Sequence, residues 1–108
     1  MARYLIRSTP TALSWAAVVQ NPQNRADAFR PVAEDLGGKL LAYYFGVAQS
    51  CTYAVVELPD EITVEALVMA VLASGVASAL ESTPILTAEE AMEAMRKAKE
   101  VSYRPPSG

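Results

Sequence analysis

The chain has 108 residues, of which 52% are hydrophobic and 19% charged, and its formal charge is −3. That length holds one domain, and the acidic balance argues against nucleic acid, for which a basic stripe is expected. There is no histidine, so imidazole catalysis, His-ligated metal and His-ligated haem are excluded. A single cysteine, Cys51, leaves no intrachain disulfide and no Cys-rich metal cage. Neither a metal nor another cofactor is therefore expected. Too few apolar residues follow Arg3 for a secretory signal, and Pro, Gly or charge interrupts every run that approaches the length of a membrane span. The expectation is a cytoplasmic protein with no membrane partner. So small a sphere cannot hide this much apolar surface, which predicts a face reserved for a second subunit.

Residues 2–8 read as a first strand. Thr9 then caps a helix with Pro10 at its first position, and Ala12, Trp15, Ala16 and Val19 recur at helical spacing as its inward stripe. Asn21-Pro22 breaks that helix. A second helical stretch carries Phe29, Val32, Ala33 and Leu36 on one face; Pro31 should kink or restart it, and Gly37-Gly38 closes it. Residues 39–47 form strand two, 48–50 the turn, and 51–58 (Cys-Thr-Tyr-Ala-Val-Val-Glu-Leu) the strongest strand in the chain. Pro59-Asp60 opens a helix with the stripe Val64, Leu67, Val68, Val71 and Leu72, ended by Gly75. Residues 76–85 read as strand four. Thr87-Ala-Glu-Glu90 is a capping box, and the last helix places Glu89, Glu90 and Glu93 early and Arg96, Lys97 and Lys99 late, as the macrodipole favours. The single domain spans 1–102, and 103–108 is a Pro-containing tail with little expected share in stability. The class is α+β, a ferredoxin-like βαββαβ antiparallel sheet with an extra C-terminal helix. Helices on one face leave the other bare, and here that face is too apolar for water.

In that order of elements the chain resembles the GYD domain family of the dimeric α+β barrel superfamily. The resemblance is carried by Arg-Tyr-Leu-Ile at 3–6, Leu-Gly-Gly-Lys-Leu at 36–40, Val-Glu-Leu-Pro-Asp at 56–60, Ala-Ser-Gly at 73–75, Ser-Thr-Pro at 82–84 and Leu-Thr-Ala-Glu-Glu at 86–90. It implies a homodimer whose sheets close into a barrel. The family's name-giving Gly-x-Tyr-Asp falls on Ala48-Gln49-Ser50-Cys51, so every signature residue is replaced and no role of the family's Asp passes to Cys51.

Strand alternation sorts the candidate site residues. Thr52, Ala54, Val56 and Leu58 should pack under the helices; Cys51, Tyr53, Val55 and Glu57 should face the barrel. The same logic sends Arg3, Leu5 and Arg7, then Tyr43, Phe45 and Val47, then Ala79, Glu81 and Thr83 to the barrel side. With the first strand between the third and fourth, Arg7 lies near Cys51 and Tyr53, and Arg3 near Glu57. A guanidinium beside a thiol lowers its pKa and makes it a nucleophile or acid–base group, and a tyrosine nearby can donate a proton or hold an oxyanion. Cys51, Tyr53, Arg7 and Glu81 are thus the catalytic candidates. The plainer reading of Cys51 is a small buried hydrophobe, and that of Arg3–Glu57 and Arg7–Glu81 is structural pairing. Trp15, Tyr43, Tyr44 and Phe45, with Arg3 and Glu57 for polar anchoring, are candidates to line a site for a hydrophobic small molecule, or else to pack core or dimer. Two functions stay open: cofactor-free isomerase, lyase or cyclase chemistry in the barrel cleft, or a non-catalytic homodimeric binding or assembly protein.

Overall fold

From Thr52 to Leu58 the third strand alternates between covered and half-open residues, with Cys51 before them also buried, and the rest of the sheet is built around it. The computed structural model describes residues 1–107; Gly108, the last residue of the tail, lies outside them. The order is β1 (Ala2–Pro10), α1 (Ala12–Gln20), α2 (Arg25–Asp35), β2 (Lys39–Gly46), a 3₁₀ turn (Val47–Gln49), β3 (Cys51–Leu58), α3 (Glu61–Ser74), β4 (Ala77–Ile85) and α4 (Ala88–Lys99). The strands form one antiparallel sheet in the spatial order β2-β3-β1-β4. This is the expected α+β, ferredoxin-like arrangement, with α1 and α2 sharing the first crossover and α3 making the second.

Residues opposed across an antiparallel pair share a face. Arg3 opposes Glu57, Leu5 opposes Val55 and Arg7 opposes Tyr53 on one side of β1; Leu5 opposes Thr83 and Arg7 opposes Glu81 on the other. These residues form the open face, as the alternation predicts. Tyr4, Ile6, Ala54, Val56 and Leu58 form the other face and meet Val64 and Leu67 of α3 in the core. Burying a Leu or Val side chain contributes roughly 1.5–3 kcal/mol, which makes this face the main source of stability. The helix ends follow the sequence signals. Asp60 accepts from the Thr63 amide at 2.8 Å, and Thr87 and Glu90 complete the capping box. Gly37 closes α2 at φ 84°, a left-handed conformation that a side chain would strain.

Four expectations are corrected. β1 runs on through Pro10, because Thr9 and Pro10 still pair with Ala79 and Ala77; Thr11, not Thr9, caps α1 by accepting from the Ser14 amide at 3.2 Å. Within α1, Ala12, Ala16 and Val19 are exposed rather than inward. The Trp15 indole N–H donates to Ser50 Oγ at 3.0 Å, which turns the Ser14, Trp15 and Val18 side of the helix to the sheet. Pro31 lies within a continuous α2 and does not restart it.

The fourth correction concerns β2. Tyr43 opposes Ala54 and Phe45 opposes Thr52, so both rings lie on the helix-covered face, not on the barrel side; Val47 has left the strand for the 3₁₀ turn. Alternation sorts residues within a strand, but the connection decides which set faces which side. Here residues 47–50, with Ser50 left-handed at φ 52°, oppose Gly46 to Cys51. A bulge at Leu41 then shifts the register between Leu40 and Ala42, returning Leu40 to the core and Lys39 to the side of Glu57.

Candidate functional site

The open face brings the four catalytic candidates together. Arg7 Nη1 lies 4.0 Å from Glu81 Oε1, and Tyr53, then Cys51, hold the Arg7 guanidinium even more firmly charged than usual. Cys51 itself has no exposed surface. Its thiol donates to the Gly46 carbonyl oxygen at 3.7 Å, and a Cβ on Gly46 would stand 2.7 Å from Sγ and 3.2 Å from the Tyr53 ring. Glycine at 46 is thus what makes room for the thiol under the sheet edge. Farther along the same face Arg3 Nη2 pairs with Glu57 Oε1 at 3.3 Å and Lys39 Nζ with Glu57 Oε2 at 3.8 Å. Arg3 also reaches Glu90 of α4 at 3.5 Å. Among the described residues no group of three or more His, Cys, Asp or Glu could hold a metal.

Of the four aromatic candidates, Tyr44 stays exposed on the open face opposite Tyr53 and does not border the cavity beneath the helices, and the other three gather elsewhere. Under the helices, four rings follow one another: Phe29 and Tyr43 with centroids 6.1 Å apart, Tyr43 and Phe45 5.6 Å apart, Phe45 and Trp15 6.0 Å apart, all tilted. Tilted pairs at these separations are the favoured aromatic geometry. They wall a cavity of about 130 Å³ between the sheet and helices α1, α2 and α3. Its floor is Ile6 and Ala54, and its polar groups are the paired hydroxyls of Ser8 and Thr52, with Ser14 and Arg25. It is open on one side, where Ser14, Val18, Arg25 and Val76 also border a second, more open hollow of about 310 Å³. Arg3 and Glu57, expected as polar anchors for the aromatic site, lie on the opposite face of the sheet and do not border the cavity.

Arg25, Phe29 and Val18, together with the hydroxyls of Ser8 and Ser14, are cavity residues that sequence reasoning missed. Phe29 was legible as an inward residue of its helix but carried no sign of its ring partners. Val18 was lost with the misplaced stripe of α1. Arg25 offered one signal: it follows a capping Asn24, whose side chain accepts from the amides of Ala26 and Asp27, so it stands at the first helical position beside the end of α1.

A family model described as GYD domain matches residues 4–95. No curated protein and no solved structure matches the chain. The match covers β1 from Tyr4 onward, the other three strands and α1–α3, and runs into α4. The positions that carry the signature in the resemblance, 48–51, fall on the end of the 3₁₀ turn, its left-handed cap Ser50 and the first residue of β3. Ser50, which stands where the signature has Tyr, accepts the Trp15 indole hydrogen bond. In this chain the turn therefore anchors the wall of the cavity. No helix is long and apolar enough to cross a membrane among the described residues.

Proposed function

The chain belongs to the GYD domain family, and from that premise we propose that it is a homodimeric protein binding an apolar small molecule in the cavity between its sheet and helices α1–α3. The observation that carries this reading is the aromatic wall itself. Rings that serve only as core close the space between them, whereas these four surround about 130 Å³ of it. Engineered apolar cavities of about 150 Å³ take up benzene, so a ligand body the size of one ring fits. Trp15, the only tryptophan, forms part of the wall and reports occupancy directly. Titration with benzyl alcohol should change its fluorescence saturably, and Val18→Phe, which fills the space, should abolish the response in a folded protein. A linear response without saturation, unchanged by Val18→Phe, rejects the reading.

The homodimer rests on the open face and on the shape of the chain. Leu5 and Val55 sit half-covered between ion pairs there, with Tyr44 at 67% exposure beside them. The radius of gyration is 17.3 Å, against about 13 Å for a compact chain of this size. Part of the excess lies in α4, whose Met92 and Met95 are exposed. A second copy packed sheet on sheet would cover this surface and complete a barrel. Sedimentation at micromolar concentration should give a dimer; a monomer throughout rejects it.

A second reading is favoured by the gathering of Arg7, Cys51, Tyr53 and Glu81 on the open face: cofactor-free isomerase, lyase or cyclase chemistry in the barrel cleft. It requires a thiol that can be reached. Titrating native protein with a chromogenic disulfide from about pH 5 to 9 separates the cases. Reaction beginning below about pH 8 supports an activated thiol, and no reaction until denaturant is added removes the reading.

A further inference from the structure

The cavity has one charged group at its rim, Arg25. Its Nη1 donates to Gln23 Oε1 at 2.7 Å, a neutral partner. Among the described residues no carboxylate lies within ion-pair distance of Arg25, although Arg3, Arg7, Arg30, Lys39 and Arg96 all have one. The nearest acid along α2, Asp27, is already committed to Arg30 at 2.8 Å and to the exposed side of the helix. Among the described residues Lys97 and Lys99 also have no acid at ion-pair distance, but they stand exposed in the last turn of α4. What distinguishes Arg25, in a chain of net charge −3, is that it lacks an acid at the mouth of an aromatic cavity. Guanidinium offers a planar fork of donors that fits a carboxylate with two parallel hydrogen bonds.

We propose that the cavity takes a small aromatic carboxylate, its ring among Trp15, Phe29 and Tyr43 and its carboxylate on Arg25. The cavity itself has room for about one ring. The open side, where Arg25 stands between the cavity and the outer hollow, lets the charged end remain partly hydrated. The ring then replaces water against an apolar wall while the carboxylate keeps a wet coordination shell, so neither group is buried without a partner. The overall negative charge of the protein repels the ligand at a distance, and any preference for the acid must therefore come from Arg25 locally.

This inference rests on the reading of the cavity given above, and the two are tested apart. Phenylacetate and phenylacetamide share ring and shape and differ in charge. Binding of each to the full chain is measured by Trp15 fluorescence and by calorimetry. Phenylacetate should bind roughly tenfold more tightly, the scale of a charge-assisted hydrogen bond at a half-exposed site, and the difference should shrink with added salt. Arg25→Gln should bring phenylacetate down to about the level of phenylacetamide, and should weaken the amide far less than the acid, because only the acid loses a charge-assisted hydrogen bond. Arg25→Lys should keep only part of the preference. Equal binding of acid and amide to the unaltered chain, or a preference that survives Arg25→Gln, overturns the assignment of Arg25 while the cavity stands. Failure of both compounds to bind overturns the cavity reading and this inference together. A far-ultraviolet circular dichroism spectrum and melting temperature matching those of the unaltered chain show that Arg25→Gln is folded.

Discussion

Neighbouring residues of β1 lead opposite lives. Tyr4 and Ile6 are each 4% exposed, whereas the side chains of Arg3 and Arg7, interleaved with them, stay about one-third open at 34% and 37%. The helix-covered face of the sheet owes its order to apolar packing, which has no preferred direction, and it leaves a cavity only where four rings meet at angles. The open face owes its order to pairing: Arg3 with Glu57 and Glu90, Lys39 with Glu57, Arg7 with Glu81. Exposed pairs of this kind contribute about 0–1 kcal/mol each. The comparison teaches that one face holds the fold together by packing, while the other is ordered by charge pairs that add little to its stability.

The largest expected effect tests that division directly. Leu58→Ala, at a position with no exposure, should cost about 2–5 kcal/mol in urea unfolding, while Leu5→Ala on the open face should cost clearly less in dilute protein. A concentration-dependent cost for Leu5→Ala approaching that of Leu58→Ala would show that a second copy covers the open face and makes it core. Next comes the packing of Cys51. Gly46→Ala forces a methyl group against Sγ and should cost about 1–3 kcal/mol, as overpacking does. Adding Cys51→Ala should restore most of that loss. If the double variant is no more stable than Gly46→Ala alone, the thiol is not what fills the space.

The helix caps give a smaller effect that depends on pH. Hydrogen bonds from the Thr63 amide and then its hydroxyl hold the Asp60 carboxyl below its ordinary range. Those from Thr87, with help from Arg3, do the same for Glu90. A folded-state pKa below the unfolded one gives stability that is complete above the unfolded value of about 4 and is lost as pH falls through the folded value. The melting temperature should therefore hold steady from neutrality to about pH 5 and drop below about pH 4. Asp60→Asn caps without titrating, so it should soften the drop; an unchanged acid limb in both Asp60→Asn and Glu90→Gln would place the acid sensitivity elsewhere. The smallest effect belongs to the tail. Removing residues 103–108 should shift the melting temperature by a few degrees at most, because the described part, 103–107, is exposed and irregular. A loss of the dimer on truncation would instead give the tail to the partner.

Most of the fold was legible because its signals are local. Asp60, Gly75 and the Thr87–Glu90 box mark helix ends by chemistry that acts within one turn, and the polar–apolar alternation of β3 fixes its own two faces. From those, the neighbours of Arg3 and Arg7 followed once the strand order was known. The misplaced features depend on relations between elements. The side of the sheet taken by Tyr43 and Phe45 is decided by residues 47–50 and the left-handed Ser50, which composition does not announce. The inward side of α1 is decided by a hydrogen bond from Trp15 across 35 positions of sequence. The cavity is the joint product of these two, so its residues were named as aromatic candidates without the place where they meet, and Arg25 was not named at all.

The bulge of β2 bears on how chains of this kind can change length. Leu41 is the extra residue of a pair of registers, with Leu40 opposite Val56 before it and Ala42 opposite Val55 after it. Deleting Leu41 would leave a regular ladder in which every other side chain of the strand keeps its side. Deleting any one of residues 42–45 would instead act as a frameshift, carrying rings from beneath the helices to the opposite surface or losing one. When relatives are aligned, a one-residue gap in this strand therefore belongs at Leu41, where the chain can shorten without changing what it shows to either side.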